Sequence, residues 1–142
     1  MSANLYQQAI QALAEAAHGA GRLDDADASV RLDNPLCGDR TTVYVKLAGG
    51  RVVAVAHETK GCLLCRAAAS AIGLRAPGRT PAELATAADA ADAQMTQESP
   101  AAPPWPELEA FRPVRAHPSR RGCVALPFAA LQRALETGGK PG

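Results

Sequence analysis

Aromatic residues are scarce in this chain: two Phe, two Tyr and one Trp among 142 positions. Large aliphatics are few as well, with 24 Val, Leu and Ile against 32 Ala. The core must therefore be small, with tight, alanine-lined helix contacts. Charge of one sign is also lacking. Fifteen Lys and Arg face fourteen Asp and Glu, a net charge of +1, which gives no support to a nucleic-acid binder driven by bulk charge. No apolar run approaches the ~20 residues that span a bilayer, so no membrane role is expected. The first residues, Met-Ser-Ala-Asn-Leu-Tyr-Gln-Gln, show neither a basic start nor a hydrophobic stretch, and no signal peptide is expected. Gly and Pro together are too few for a low-complexity chain. A cytoplasmic location follows as an expectation, and with it reduced thiols. Four cysteines in such a chain point to metal or sulfur chemistry before disulfides.

The length suits a single domain over residues 1–142, with residues 138–142 expected to be a disordered tail. Tyr6, Ile10, Leu13 and Ala17 recur at helical spacing and predict a helix over 4–18, stopped by Gly19 and Gly21. Three strands follow, with Val30 and Leu32, then Val43, Val45 and Leu47, then residues 51–57. Ala48-Gly49-Gly50 is a hairpin turn. A helix starts near Cys62, with Gly73 and Pro77-Gly78 expected to end it. Thr80-Pro81-Ala82-Glu83 has the residues of a capping box and opens the next, with Leu84, Ala88, Ala91 and Met95 as its stripe. Residues 98–106 are a Pro-rich stretch, read as a structural connection rather than an interaction motif. Leu108 and Phe111 suggest a short helical turn. Val124, Phe128, Leu131 and Leu135 mark a last helix. Pro127 is acceptable only in its first turn, so it should start close to Cys123 and close at Gly138-Gly139.

The cysteines fall at element ends. Cys37 lies in a Gly-Asp turn after a strand. Cys62 and Cys123 each follow a glycine at a helix N-terminus, where unpaired N–H groups and the helix dipole should lower a thiol's pKa. Asp39 can put a carboxylate beside Cys37. Three thiolates and one carboxylate suit tetrahedral Zn²⁺, and thiolates are also the ligands of iron–sulfur clusters. Spacing alone leaves scattered buried cysteines open, because Cys62-Leu63-Leu64-Cys65 is the only paired motif. Cys65 reads as a partly buried neutral thiol; the alternatives are a fourth sulfur ligand in place of Asp39, or a thiol that resolves a persulfide on Cys62. His57 reads as a hydrogen-bonded surface or edge histidine. Arg112, Arg115, Arg120 and Arg121 carry no acid among them, whereas residues 76–111 set Arg79 against six acids. Either these arginines are a solvated loop, or they lower the thiolate pKa near Cys123 and attract an acidic partner surface.

Asn34-Pro-Leu-Cys-Gly-Asp-Arg40, the Gly-Gly hairpin, Lys60-Gly-Cys62 leading into a small-residue helix, and Arg120-Arg-Gly-Cys123 with Leu126 resemble the IscU/NifU family of iron–sulfur cluster assembly scaffolds. The SufU-like branch is the nearest in pattern. Many IscU proteins have His directly before the third cysteine. Gly122 stands there in this chain, Arg120 matches an arginine of the SufU-like branch, and residues 76–113 resemble that branch's insertion. The resemblance implies an α+β fold, a small three-stranded antiparallel sheet covered by helices. It also implies that Cys37, Asp39, Cys62 and Cys123 bind zinc in the resting form and iron or a [2Fe–2S] cluster transiently. The implied partners are a pyridoxal-phosphate cysteine desulfurase, which delivers sulfur, and cluster-accepting apoproteins. Cys37, Cys123 and Arg120 are the residues implied in sulfur handling. A scaffold is the expected role rather than a stand-alone enzyme, with a zinc-dependent sulfur acceptor that builds no cluster as the alternative. A structural zinc module is disfavoured, since such sites close with thiolates and histidines.

Overall fold

The computed structural model describes residues 7–138. Its elements are α1 (Gln8–Ala16), β1 (Ala28–Asn34), β2 (Asp39–Ala48), β3 (Arg51–Lys60), α2 (Leu63–Arg75), α3 (Pro81–Thr96), two 3-10 segments (Pro106–Ala116 and Pro118–Arg120) and α4 (Arg121–Gly138). The expected α+β class is what forms: a three-stranded antiparallel sheet in the order β1-β2-β3, with helices over one face.

Alternation drives the sheet. Thr41, Val43 and Val45 of β2 turn inward while Thr42, Tyr44 and Lys46 turn out. The β2–β3 hairpin closes on Gly49 and Gly50, both at positive φ (61° and 76°), which glycine reaches without strain. α4 packs across β1 and β2, α2 lies against β3 and α4, and α1 covers α2. Val43, Val45 and Val52 join Val124, Phe128 and Leu131 in the core. The outer edge of β3 is occupied at both ends. The His57 N–H donates to the Gly19 carbonyl, and the Val52 N–H donates to that of Arg79. An edge so covered is a poor template for another strand.

Several boundaries differ from the sequence expectation. α1 ends at Ala16, because Ala17 adopts a left-handed conformation (φ 46°). The expectations for Tyr6 and for residues 139–142 lie outside the described residues. Gly138, expected in the tail, is the last residue of α4 and sits against Ala28 and Leu47. α2 runs through Gly73 to Arg75. Glycine is kept there by a close approach, since a Cβ would overlap the His18 carbonyl. α4 begins at Arg121, so Pro127 lies beyond its first turn. Proline has no N–H to offer the Cys123 carbonyl four residues earlier.

The α3 cap forms as expected, with the Glu83 N–H on Thr80 Oγ1 and Glu83 Oε1 accepting from the Thr80 N–H. The Pro-rich stretch connects α3 to the first 3-10 segment and seats Trp105 on Phe128, ring centroids 6.1 Å apart. Arg75 grips Glu107 with two hydrogen bonds of 2.7 Å, tying α2 to that segment.

Candidate metal centre

β1 and β2 are joined by a turn that Asn34 organises. Its carbonyl accepts the N–H groups of Cys37 (3.3 Å) and Gly38 (2.8 Å), and its side-chain Oδ1 accepts that of Leu36 (3.1 Å). An Asx turn of this kind lets a short polar side chain replace a backbone partner. Gly38 supplies the left-handed residue (φ 74°). Leu36 and Cys37 are thereby presented to solvent at the tip.

Asp39 belongs to β2 rather than to the turn. It pairs opposite Asn34 and falls in phase with Thr41, Val43 and Val45, so the pleat carries its carboxylate inward to 1% exposure. Cys62 is the N-cap of α2, and its N–H donates to Asp39 Oδ1 at 2.9 Å. The Cys37 thiol donates to Asp39 Oδ2 at 3.1 Å, and the Cys62 thiol reaches the same oxygen at 3.6 Å. Cys123, in the first turn of α4, donates its thiol proton to Cys37 Sγ at 3.5 Å. Cys37, Asp39 and Cys123 offer ligand atoms that all lie within 4.8 Å of one another. Cys62 lies outside that triplet and joins it through Asp39.

Burial alone would raise the Asp39 carboxyl. Hydrogen bonds from the Cys37 thiol, the Cys62 N–H and the Cys123 and Cys62 thiols outweigh it and hold the carboxyl below its ordinary value. Cys123 goes the other way. Burial, then the neighbouring Cys37 and Asp39, push its thiol well above the usual range, against the depression expected from the helix end and the basic cluster. Soft sulfurs with one buried carboxylate are the donor types that tetrahedral zinc takes, so the residues present fit that ion.

The remaining candidates fall as follows. Arg120 lies in the 3-10 turn directly before α4 and is half-buried. Arg112 turns from the site to α3, its Nε donating to Gln94 Oε1 at 2.8 Å. Cys65 is fully buried, and burial first, then the charges of Asp39, Cys62 and Cys37, push its thiol up. His57 is hydrogen-bonded but lies inside the protein, at 4% exposure, not on the surface. The loop of Gly19 to Gly21 pairs with its backbone and covers it. Asn34 was visible only as part of a motif; its role as organiser of the Cys37 turn could have been read from Asn two residues before an exposed turn residue.

The family model for the NifU-like N terminal domain matches residues 5–104. The "Iron-sulfur cluster assembly scaffold protein IscU" of Streptococcus pyogenes serotype M1 is 29% identical over 134 residues, 94% of this chain and 84% of its own. The "Zinc-dependent sulfurtransferase SufU" of Bacillus subtilis is 30% identical over 138 residues, 95% of this chain and 93% of its own. Among solved structures, the N-terminal NifU-like protein of Brucella abortus superposes with a TM-score of 0.90 at 29% identity, covering 97% of this chain and 96% of that one.

Proposed function

The chain belongs to the NifU-like N-terminal domain family, and on that premise we propose that it is a cytoplasmic scaffold for iron–sulfur cluster assembly. It accepts sulfur from a pyridoxal-phosphate cysteine desulfurase, holds iron or a [2Fe–2S] cluster at Cys37, Asp39, Cys62 and Cys123, and passes the cluster to apoproteins. The observation that carries the reading is the convergence of Cys37, Asp39 and Cys123 from a turn, a strand and a helix to within 4.8 Å. In the resting form the same four side chains would hold zinc, which supplies positive charge that keeps thiols as thiolates.

Exposure divides the work. Cys37 is the exposed thiol, while Cys123 and Asp39 are buried. Cys37 is therefore the group that meets a partner. Its sulfur attacks the outer sulfur of the desulfurase's cysteine persulfide. The partner's S–S bond breaks, its thiolate leaves, and a persulfide is left on Cys37. With zinc bound the attacking sulfur would already be a thiolate; in the metal-free chain the Cys37 S–H donates to Asp39 Oδ2. Arg120, three residues before Cys123, contributes positive charge to the rim that an acidic partner surface would meet.

The alternative reading is a zinc-dependent sulfur acceptor that builds no cluster. The Bacillus subtilis relative and Gly122 in place of a histidine before Cys123 favour it. Anaerobic incubation with iron, cysteine and a desulfurase separates the two. Visible absorption of a bound cluster at stoichiometric iron is the expected outcome. Stoichiometric persulfide on a protein that keeps its zinc and takes no iron would establish the alternative. Neither sulfur uptake nor iron binding would refute both.

A further inference from the structure

Two of the cysteines are preceded by glycine, and the two glycines do different things. Gly61 does not need to be glycine for its backbone: it is not among the residues at positive φ, in contrast to Gly38 at 74°. Space is the constraint. The three nearest atoms to a Cβ placed at residue 61 all belong to Asp39. The Cβ would overlap Oδ1, lie 2.7 Å from Cγ and 3.0 Å from the Asp39 Cβ. Moving the Asp39 side chain aside would break its contacts, since Oδ1 holds the Cys62 N–H at 2.9 Å and Oδ2 receives the Cys37 thiol at 3.1 Å. At Gly122 a Cβ would meet one atom, the Asn34 Nδ2, at 2.9 Å. That contact is with the far end of the side chain alone, whereas a Cβ at residue 61 would also meet the Cγ and Cβ atoms next to the Asp39 backbone.

We infer that Gly61 is a positioning residue for the Asp39 carboxylate: the side chain it lacks is the space the carboxylate fills. That space places Oδ1 on the Cys62 N–H and leaves Oδ2 facing the thiols. The packing claim stands on the geometry alone, while its consequence for metal binding rests on the proposed ligand role of Asp39. Any side chain at 61 drives the carboxylate off the Cys62 N–H and out of the ligand set, leaving three thiols.

A four-protein cycle tests this: the natural chain, Gly61→Ala, Asp39→Ala and the double variant. Zinc affinity is measured by competition with a chromophoric chelator, thermal midpoints on the metal-free proteins, and ligand geometry from the visible bands of the cobalt(II)-loaded proteins. Gly61→Ala is expected to weaken zinc binding by about tenfold or more, the usual scale for groups that orient a ligand. Its cobalt bands should match those of Asp39→Ala. In the double variant the glycine substitution should cost almost nothing further, because contacting residues are non-additive. Gly122→Ala should stay within about threefold of the natural chain, since only one terminal amide nitrogen has to shift by a few tenths of an ångström. Natural affinity in Gly61→Ala, or losses that simply add in the double variant, would overturn the inference. Should Gly61→Ala fail to fold, a folded double variant supports it and an unfolded one refutes it. Absence of zinc binding in the natural chain would sink the proposed function, and the metal-free thermal cycle would still decide the role of Gly61.

Discussion

Asp39 and His57 are both buried titratable groups on adjacent strands, yet their surroundings are completed in opposite ways. His57 Nε2 donates to the His18 carbonyl at 2.8 Å, which sets the tautomer, so Nδ1 accepts from the Thr59 hydroxyl at 3.0 Å. Thr59 then accepts from Thr41 across the β2–β3 ladder at 2.8 Å. Every link ends on the protein's own atoms. Among the described residues, Asp39 has one firm donor, the Cys62 N–H, and its other oxygen meets thiols. Thiols are weak donors, and a carboxylate among them is better served by a cation. A closed polar network fastens the α1–β1 connection to the sheet. An open one, two residues along the same strand face from Thr41, is where chemistry can enter.

The largest test of that difference is removal of metal. Chelation of the zinc-loaded protein should lower its melting temperature, because an ion bound only to the folded state stabilises it by mass action. At a thousandfold excess over Kd the contribution is about 4 kcal/mol, on the order of 10 °C for a domain of this size. Cys37→Ala and Cys123→Ala should each lose stoichiometric zinc and show no further fall on chelation. If both kept their zinc and the melting temperature ignored chelation, the open site would be as self-sufficient as the closed one.

A smaller effect is expected at His57. His57→Ala removes a buried imidazole, takes the donor from the His18 carbonyl and leaves the Thr59 hydroxyl with Thr41 alone, which costs about 1–3 kcal/mol. Zinc content should not change. The pH dependence carries a definite sign. Burial lowers the folded-state pKa of His57, against a smaller raising effect of the His18 carbonyl. Between the folded value and the ordinary value near 6.5, the unfolded chain binds the extra proton. The network's contribution is therefore whole above about pH 6.5 and falls as the solution is acidified towards the folded pKa. Chemical denaturation of the metal-free protein between pH 7.5 and about 5 should show that slope, and His57→Ala should lack it. Asp39 works in a lower window: its carboxyl is held below the ordinary value near 3.9, so its contribution is lost only as pH falls below that.

The two regions were unequally legible in the sequence. Alternation marked Val43 and Val45 as inward, and the turn residues marked the hairpin, since both signals lie within a few residues. Cys37, Cys62 and Cys123 were found by type and position at element ends. The inward turn of Asp39 was not legible, because it follows from β2 starting at once after Gly38, a matter of pairing with Asn34. His57 lies on the edge strand and is hydrogen-bonded, as one of its two readings had it, but its burial was not legible for a related reason: its cover, Gly19 to Gly21, comes from far along the chain. At Cys123 the helix end was legible, whereas the depth of the residue and its closeness to Cys37 were not. Arg112 drew attention by charge, and its partner Gln94 sits on another helix.

Cys65 carries the smallest expected effect and the sharpest reading of where the open site stops. It lies one helical turn beyond Cys62, close enough for a shared face. Depth separates the two: Cys62 is half-buried at the N-cap, whereas Cys65 is fully buried between α2 and the core, where burial keeps its thiol protonated. Cys123 is buried too, but among the described residues its sulfur converges with Cys37 and Asp39, and that of Cys65 does not. Cys65→Ala should leave zinc stoichiometry unchanged and cost about 1 kcal/mol for one sulfur removed from a packed interior, read as a small shift in denaturation midpoint. Asp39→Ala should show the reverse pattern, with weakened metal binding. Alkylation of the zinc-loaded protein sharpens the contrast. Cys65 should label slowly before and after chelation, at the rate of global opening, whereas Cys37 should label fast once zinc is removed. Rapid labelling of Cys65 released only by chelation, together with zinc loss in Cys65→Ala, would move the fourth ligand from the strand to the helix and dismiss Asp39 from the site.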